Sequence, residues 1–295
     1  VNTDTTPNRS TPADPPPSNS AIKEIRLREL LRGLGQALIA FSGGVDSTYL
    51  AVIATQELGA NALCVTGDSP SLAEHSRQGV AELVKKFGLN HLIIRTEELD
   101  RPGYTANSSE RCYFCKTELY SKLTPLARER GIAEVLDGST LDDLGDHRPG
   151  RRAAGEHQVR SALIEAGFTK ADVREMSRRA GLPTWDQPAS PCLSSRVAYG
   201  VPVSIGRLSM VERGEAILRA HGFREFRVRH HDQLARIEIA PAEFERVLDR
   251  VLVDELAQQF RALGFRYVTL DLNGFRSGSM NEVLKPRSTA PPNNS

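Results

Sequence analysis

The chain has 295 residues, of which 39% are hydrophobic and 25% charged, with a formal net charge of +1. That length suits about one or two domains; no apolar run is long enough to span a bilayer, and so balanced a charge carries no broad field for nucleic acid. The N-terminus lacks a charged-then-apolar leader pattern, so a cytoplasmic protein is expected. In that compartment Cys64, Cys112, Cys115 and Cys192 are expected to be ligands, nucleophiles or core residues, not disulfides.

Residues 1–20 are rich in Pro, Ser, Thr and Asn and nearly free of large apolar side chains, so they are expected to be a disordered tail, as are residues 286–295. Apolar spacing then predicts a helix over 22–34, a buried strand over 37–41, a helix over 47–58 and a strand over 62–66. A helix over 72–87, a strand over 91–95, a helix over 116–130 and a strand over 133–137 continue the alternation. Strands alternating with helices predict an α/β fold over 21–185: a parallel sheet with helices on both faces. Ligands of such sheets lie at the C-terminal ends of strands, where Ser42, Thr66 and Gly138 fall. After Gly181-Leu-Pro183 the pattern changes. A Pro- and Ser-rich stretch carrying Cys192 leads to a helix over 208–221, two alternating strands over 226–230 and 234–239, a helix over 242–263 and a strand over 267–272. This predicts a linker and a small α+β domain over 186–285 for substrate binding or oligomerisation.

Ser42-Gly-Gly-Val-Asp-Ser47 stands between a predicted strand and a predicted helix. Gly43 and Gly44 let the backbone turn tightly and approach a ligand. Backbone N–H groups, the Ser42 and Ser47 hydroxyls and the helix N-terminus then converge on one point, which suits a phosphate. No lysine follows, so this is not a Walker A loop. The hexapeptide resembles the S-G-G-x-D-S signature of PP-loop ATP pyrophosphatases, which hold ATP and cleave between its α and β phosphates. That resemblance implies nucleotide binding by Ser42, Gly43, Gly44, Asp46 and Ser47, with Asp46 also in the catalytic set. A second segment, Asp137-Gly-Ser-Thr-Leu-Asp-Asp143, ends the fourth strand. Gly138 would lie at the nucleotide, and Asp143 would hold Mg²⁺ against its phosphates; the alternative is a capped turn in which Asp142 and Asp143 open a helix. Thr66, Gly67 and Asp68, at the end of the second strand, resemble the family's adenine or ribose edge.

Arg111-Cys-Tyr-Phe-Cys-Lys116 is a C-x-x-C just ahead of a predicted helix, and Cys192 lies far along the chain. Three thiolates suit a 4Fe-4S cluster with one open iron. Zinc, which more often takes four ligands, a redox pair and plain structural cysteines are the alternatives. Arg196 follows Cys192, and Arg207 opens a predicted helix. Arg227 and Arg229 alternate on one strand face, so both can reach one anion. Glu215 would orient them; the alternative for each arginine is a solvated face.

Taken in order, the 42–47, 111–116, 137–150, 188–196 and 271–281 segments resemble the LarE family, ATP-dependent sulfur transferases of nickel-pincer nucleotide cofactor synthesis. The resemblance covers nearly the whole of residues 21–285. It implies a pyridinium mononucleotide substrate bearing two carboxylates, one of which is adenylated and then replaced by a thiocarboxylate. The phosphate and carboxylates would meet Arg196, Arg207, Glu215, Arg227 and Arg229. Some members give up the sulfur of a single cysteine in the Cys192 region; others resemble cluster enzymes with three cysteines. Cys112, Cys115 and Cys192 match the second pattern, which implies ATP, Mg²⁺ and a 4Fe-4S cluster as cofactors, a sulfide donor as partner, and a homo-oligomer. The rival readings are a cluster-dependent tRNA thiolase, sacrificial donation from Cys192, an ammonia-using synthetase and an ATP-sensing module. The near-neutral charge weighs against a nucleic-acid substrate, and the last two leave the three cysteines without a role.

Overall fold

The computed structural model describes residues 18–145, 149–188, 192–276 and 279–284. Helix α1 (Asn19–Leu34) starts earlier than its apolar spacing indicates, because the Ser18 hydroxyl accepts from the Ala21 N–H and caps a polar first turn. Strand β1 (Ala37–Ala40), helix α2 (Val45–Leu58), β2 (Ala62–Asp68), α3 (Glu74–Phe87) and β3 (Asn90–Arg95) follow. The short α4 (Pro102–Thr105) precedes α5 (Arg111–Glu129) and β4 (Val135–Leu136). Next come α6 (Pro149–Glu156), α7 (Ala162–Glu165) and α8 (Lys170–Arg179), none of which the apolar spacing announces.

The strands pair in parallel in the order β3-β2-β1-β4. Strand β1 is buried throughout, and its side chains alternate between two cores. Ala37 and Ile39 join the core built with α1, α2 and α8, whereas Leu38 and Ala40 join that built with α5 and α6. A continuous apolar run is what a strand covered on both faces requires. The α/β architecture is therefore as expected. Cys64 is fully buried opposite Ile39, and burial pushes its thiol up to about 12, which fits a core residue.

Beyond these, α9 (Ile205–Ala220), the antiparallel strands β5 (Phe226–His231) and β6 (Leu234–Ile239), α10 (Arg250–Ala262) and β7 (Tyr267–Leu270) form a second layer pair. Strand β7 runs parallel to β6, giving the order β5-β6-β7. Leu218, Val228, Ile237, Phe260 and Phe265 fill the space between this sheet and its helices. The single helix expected over 242–263 is in fact two. A 3-10 segment, Pro241–Leu248, stops at Asp249, whose carboxylate accepts from the Val251 N–H at 2.8 Å and caps α10. A further apolar cluster of Tyr104, Leu193, Val197, Leu208 and Val211, with Phe114 and Cys115 against it, stitches α4 and α5 to α9. No described helix is long and apolar enough to cross a membrane.

Candidate active site

The turn from β1 into α2 is built around Gly43. Its φ is +73°, and an added Cβ would stand 2.7 Å from Val80 Cγ2, so conformation and space both demand glycine. The Ser42 and Ser47 hydroxyls lie 3.0 Å apart, and Ser47 Oγ donates to the Gly44 carbonyl at 3.2 Å. Gly44 is the N-cap and offers no side chain, so among the described residues the first-turn N–H groups of α2 are open to an anion. Gly138, just past β4, packs on this turn: a Cβ there would lie 2.9 Å from the Ser47 nitrogen and 3.1 Å from its Cα. The two segments singled out in the sequence thus meet in space. Thr66 lies within β2, buried, and its hydroxyl donates to the Phe41 carbonyl at 2.8 Å. It braces the residue just ahead of the turn, with His91 Nε2 also 2.8 Å away.

Burial pushes the Asp46 carboxyl up to about 6; the Asp143 carboxylate adds to this, while Lys170 and Arg174 oppose it. Asp143 is itself buried. One of its oxygens caps the turn Leu141–Asp143, accepting from the Thr140 N–H at 2.9 Å and hydroxyl at 3.1 Å. The other oxygen is 3.2 Å from Lys170 Nζ. Neither Lys170 nor Arg174 stands out in the sequence as part of this site. They reach it because α8 packs on α2, and the signal that would have placed α8 is its capping box, Thr169 with Asp172. Mg²⁺ usually takes one or two carboxylates beside substrate phosphates, and Asp46 with Asp143 is a donor set of that kind.

Cys112 and Cys115 lie inside α5, one turn apart, because the helix starts at Arg111 and not at 116 as expected. The early start has an anchor. The buried Arg111 guanidinium donates to Asn107 Oδ1 and to the Ser194 carbonyl, the latter at 2.9 Å. Cys112 is exposed and Cys115 half-buried; desolvation by their surroundings pushes both thiols up, Arg111 opposes this at Cys112, and charge on Cys192 adds to both, so the three are electrostatic neighbours. Among the described residues no three His, Cys, Asp or Glu side chains converge tightly enough to hold a single metal ion. An iron–sulfur cluster takes its cysteines at separate irons, and three neighbouring thiols match it in donor chemistry. Lys116 follows Cys115 with its ammonium 5.5 Å from the Tyr120 ring, and the Tyr120 hydroxyl donates to Asp137 at 3.2 Å. Only the place of Lys116 beside the C-x-x-C hinted at this.

The predicted arginines divide. Arg196 is 1% exposed, and it donates through Nε to Glu215 at 2.9 Å and through Nη1 to the Cys192 carbonyl at 3.0 Å. Arg229, also buried, donates to Glu238 and to Ser279. Arg227 lies over the Phe275 ring at 4.9 Å and donates to the Phe226 carbonyl. Burial, followed by the charges of Arg196 and Arg229 and against the pull of Glu215, holds Arg227 down to about 10. Arg196, Glu215, Arg227 and Arg229 are therefore brought together. Arg207 instead pairs with Asp232 at the β5–β6 turn, 2.9 Å away, and no described bond joins it to that group. Residues 146–148, 189–191 and 277–278 of the sequence segments named above, like the tails 1–17 and 285–295, lie outside the described residues.

Comparison with known proteins adds sequence kinship to this geometry. No family model matches the chain. An uncharacterised protein of Synechocystis sp. is 46% identical over 88% of this chain and 96% of its own length. The pyridinium-3,5-bisthiocarboxylic acid mononucleotide synthase of Lactiplantibacillus plantarum is 38% identical over 90% of this chain and 95% of that protein. One component of the glutamine-hydrolyzing GMP synthase of Thermoplasma volcanium is 29% identical over 55% of this chain and 57% of its own.

Proposed function

This chain belongs to the LarE family of ATP-dependent sulfur transferases, and from that premise we propose that it converts a carboxylate of a pyridinium biscarboxylate mononucleotide into a thiocarboxylate. A carboxylate oxygen of the substrate attacks the α phosphorus of ATP, and pyrophosphate leaves. Hydrosulfide then attacks the acyl carbon, and AMP leaves with the former carboxylate oxygen. The turn at Ser42–Ser47, with Gly138 against it, would hold the phosphates, and Asp46 and Asp143 would hold Mg²⁺ beside them. Arg227 and its neighbours would meet the substrate's phosphate and carboxylates. In this reading residues 21–185 form the nucleotide domain and 186–285 the linker and substrate domain, in a cytoplasmic homo-oligomer. The observation that supports this reading is α5: it carries Cys112 and Cys115, and its Tyr120 hydroxyl donates to Asp137 at 3.2 Å, beside the Gly138 that packs on the turn.

Cys112, Cys115 and Cys192 would hold a 4Fe-4S cluster, whose chemistry when bound is to donate sulfide supplied by a partner, so that the enzyme turns over repeatedly. The test is anaerobic purification and reconstitution, then iron and sulfide analysis, then turnover with ATP and the biscarboxylate mononucleotide. The expected result is bound iron and more than one thiocarboxylate per chain when sulfide is supplied. A protein that stays iron-free and loses the Cys192 sulfur once per turnover, seen by mass spectrometry, overturns the cluster version. ATP consumption with no thiocarboxylate in any arm overturns the proposal itself.

Arg227→Ala tests the substrate end. The guanidinium is partly buried among like charges, so an incoming anion relieves repulsion as well as making contacts. Its loss is expected to raise the KM for the mononucleotide by about 10- to 100-fold, the effect of removing one or two charge-assisted hydrogen bonds, with ATP binding retained. Unchanged steady-state kinetics would reject the assignment.

A further inference from the structure

Three buried arginines converge on one short loop. The carbonyls of Cys192, Ser194 and Ser195 each accept a guanidinium N–H: from Arg196 at 3.0 Å, from Arg111 at 2.9 Å and from Arg229 at 3.3 Å. These arginines come from the loop's own end, from α5 and from β5. The loop is also tied through Ser194 Oγ, 2.6 Å from the Tyr104 hydroxyl, and through the Leu193 N–H, which donates to the Ser71 carbonyl. A guanidinium is costly to bury unless a carboxylate matches it. Glu215 matches Arg196, and Glu238 matches Arg229.

Glu238 is 0% exposed, and both its oxygens are in use. One accepts from Nε and Nη2 of Arg229, at 3.0 and 2.9 Å. The other accepts from the Ser279 hydroxyl at 2.8 Å and from Arg236 at 3.1 Å. Ser279 Oγ in turn accepts from Arg229 Nη2 at 2.9 Å. A guanidinium is a planar, rigid fork, so fixing its Nε–Nη2 edge also fixes where Nη1 points. Here Nη1 points at the Ser195 carbonyl. The carboxylate on β6 therefore sets the position of a loop it does not contact through any described bond of its own.

We propose that Glu238 is a positioning residue for sulfur delivery: by holding Arg229 on the Ser195 carbonyl, it fixes the loop that carries Cys192. The inference rests on the reading of Cys192 as part of the sulfur-delivering group. Glu238→Gln keeps the shape but loses the charge that holds the Arg229 fork; Ser279→Ala removes one strand of the same network at less risk to folding. Both are compared with the parent protein in two measurements. The first is the rate at which iodoacetamide alkylates Cys192 in cluster-free protein, followed by mass spectrometry with Cys112 as internal reference. The second is thiocarboxylate formed per pyrophosphate released by the reconstituted enzyme.

Cys192 alkylation is expected to rise about 10-fold in Glu238→Gln, as a local opening gains population, with Cys112 changing less than about 2-fold. Ser279→Ala should move the same way by a smaller factor. Thiocarboxylate per pyrophosphate should fall about 10-fold in Glu238→Gln, since misplacing a reacting group by even an ångström is costly. An unchanged Cys192-to-Cys112 ratio in both variants overturns the proposal, as does an equal fall in pyrophosphate and thiocarboxylate. If Glu238→Gln does not fold, Ser279→Ala decides by the same ratio. A parent enzyme that makes no thiocarboxylate defeats the function proposed above, while the alkylation ratio still judges the positioning role.

Discussion

Asp46→Asn is expected to lower ATP-dependent pyrophosphate release by about 100-fold or more, the usual cost of losing a preorganised electrostatic group, and yet to make the metal-free protein more stable. The first effect follows from position. The residue opens α2 beside Ser47, in the turn that Gly138 closes. Asparagine keeps the shape but not the charge that would hold Mg²⁺ among phosphates. The second effect follows from burial, which pushes the Asp46 carboxyl up to about 6 with the help of Asp143. A carboxyl raised above its unfolded value near about 4 opposes folding when it is ionised. That cost is fully present above pH 6, shrinks between about pH 6 and 4, and is gone below both values. Discounted for partial exposure, it amounts to about 2 kcal/mol. Urea denaturation in EDTA should therefore show the variant more stable at pH 7.5 and the difference nearly gone at pH 4. Lower stability at pH 7.5 would show that the carboxylate is instead held by favourable contacts, and retained pyrophosphate release would remove it from the site.

Glu215→Ala is expected to cost about 3–5 kcal/mol of folding stability, the range for removing one partner of a buried ion pair. Arg196 and Glu215 are 1% and 3% exposed and meet at 2.9 Å through Nε and 3.3 Å through Nη2. Such a pair adds little over apolar groups of equal volume, because both charges have been taken out of water. Its two halves are nonetheless unequal to lose: without the carboxylate, a fully buried guanidinium keeps its desolvation cost and loses its counter-charge. The double change Arg196→Met with Glu215→Leu should therefore recover much of what Glu215→Ala loses. Denaturation curves of the three proteins, read against a common slope, check this. If the single and double variants are equally unstable, the pair's worth lies in the loop contacts of Arg196 and not in charge matching.

Local pattern was enough to locate the parallel sheet and the turn after β1. An apolar run such as Ala37–Ala40 can be stable only between two covered faces, and Gly43 with φ +73° is a local demand of the backbone. The C-x-x-C was also visible, but its helix was misplaced. Helical spacing begins to show only after 116, whereas α5 starts at Arg111 because that residue is held by Asn107 and by Ser194. Asn107 is four residues away, but Ser194 is 83 residues along the chain, and no local rule contains that contact. The two-part helix near 242–263 failed for the opposite reason: a local signal, the Asp249 cap, was present but was outweighed by continuous apolar spacing.

The sequence by itself determined the fold class, the glycine turn after β1 and the cysteine pattern, because glycines, strand runs and cysteine spacing act over a few residues. Tertiary structure decided which charges those residues meet. Arg227 and Arg229 are equivalent in the strand pattern, yet one lies over Phe275 while the other is buried against Glu238 and Ser279. Lys116 and Lys170 gained their places only when α5 and α8 packed on the sheet. Burial and charge pairing act through space, and the partners that impose them here come from elements far apart along the chain.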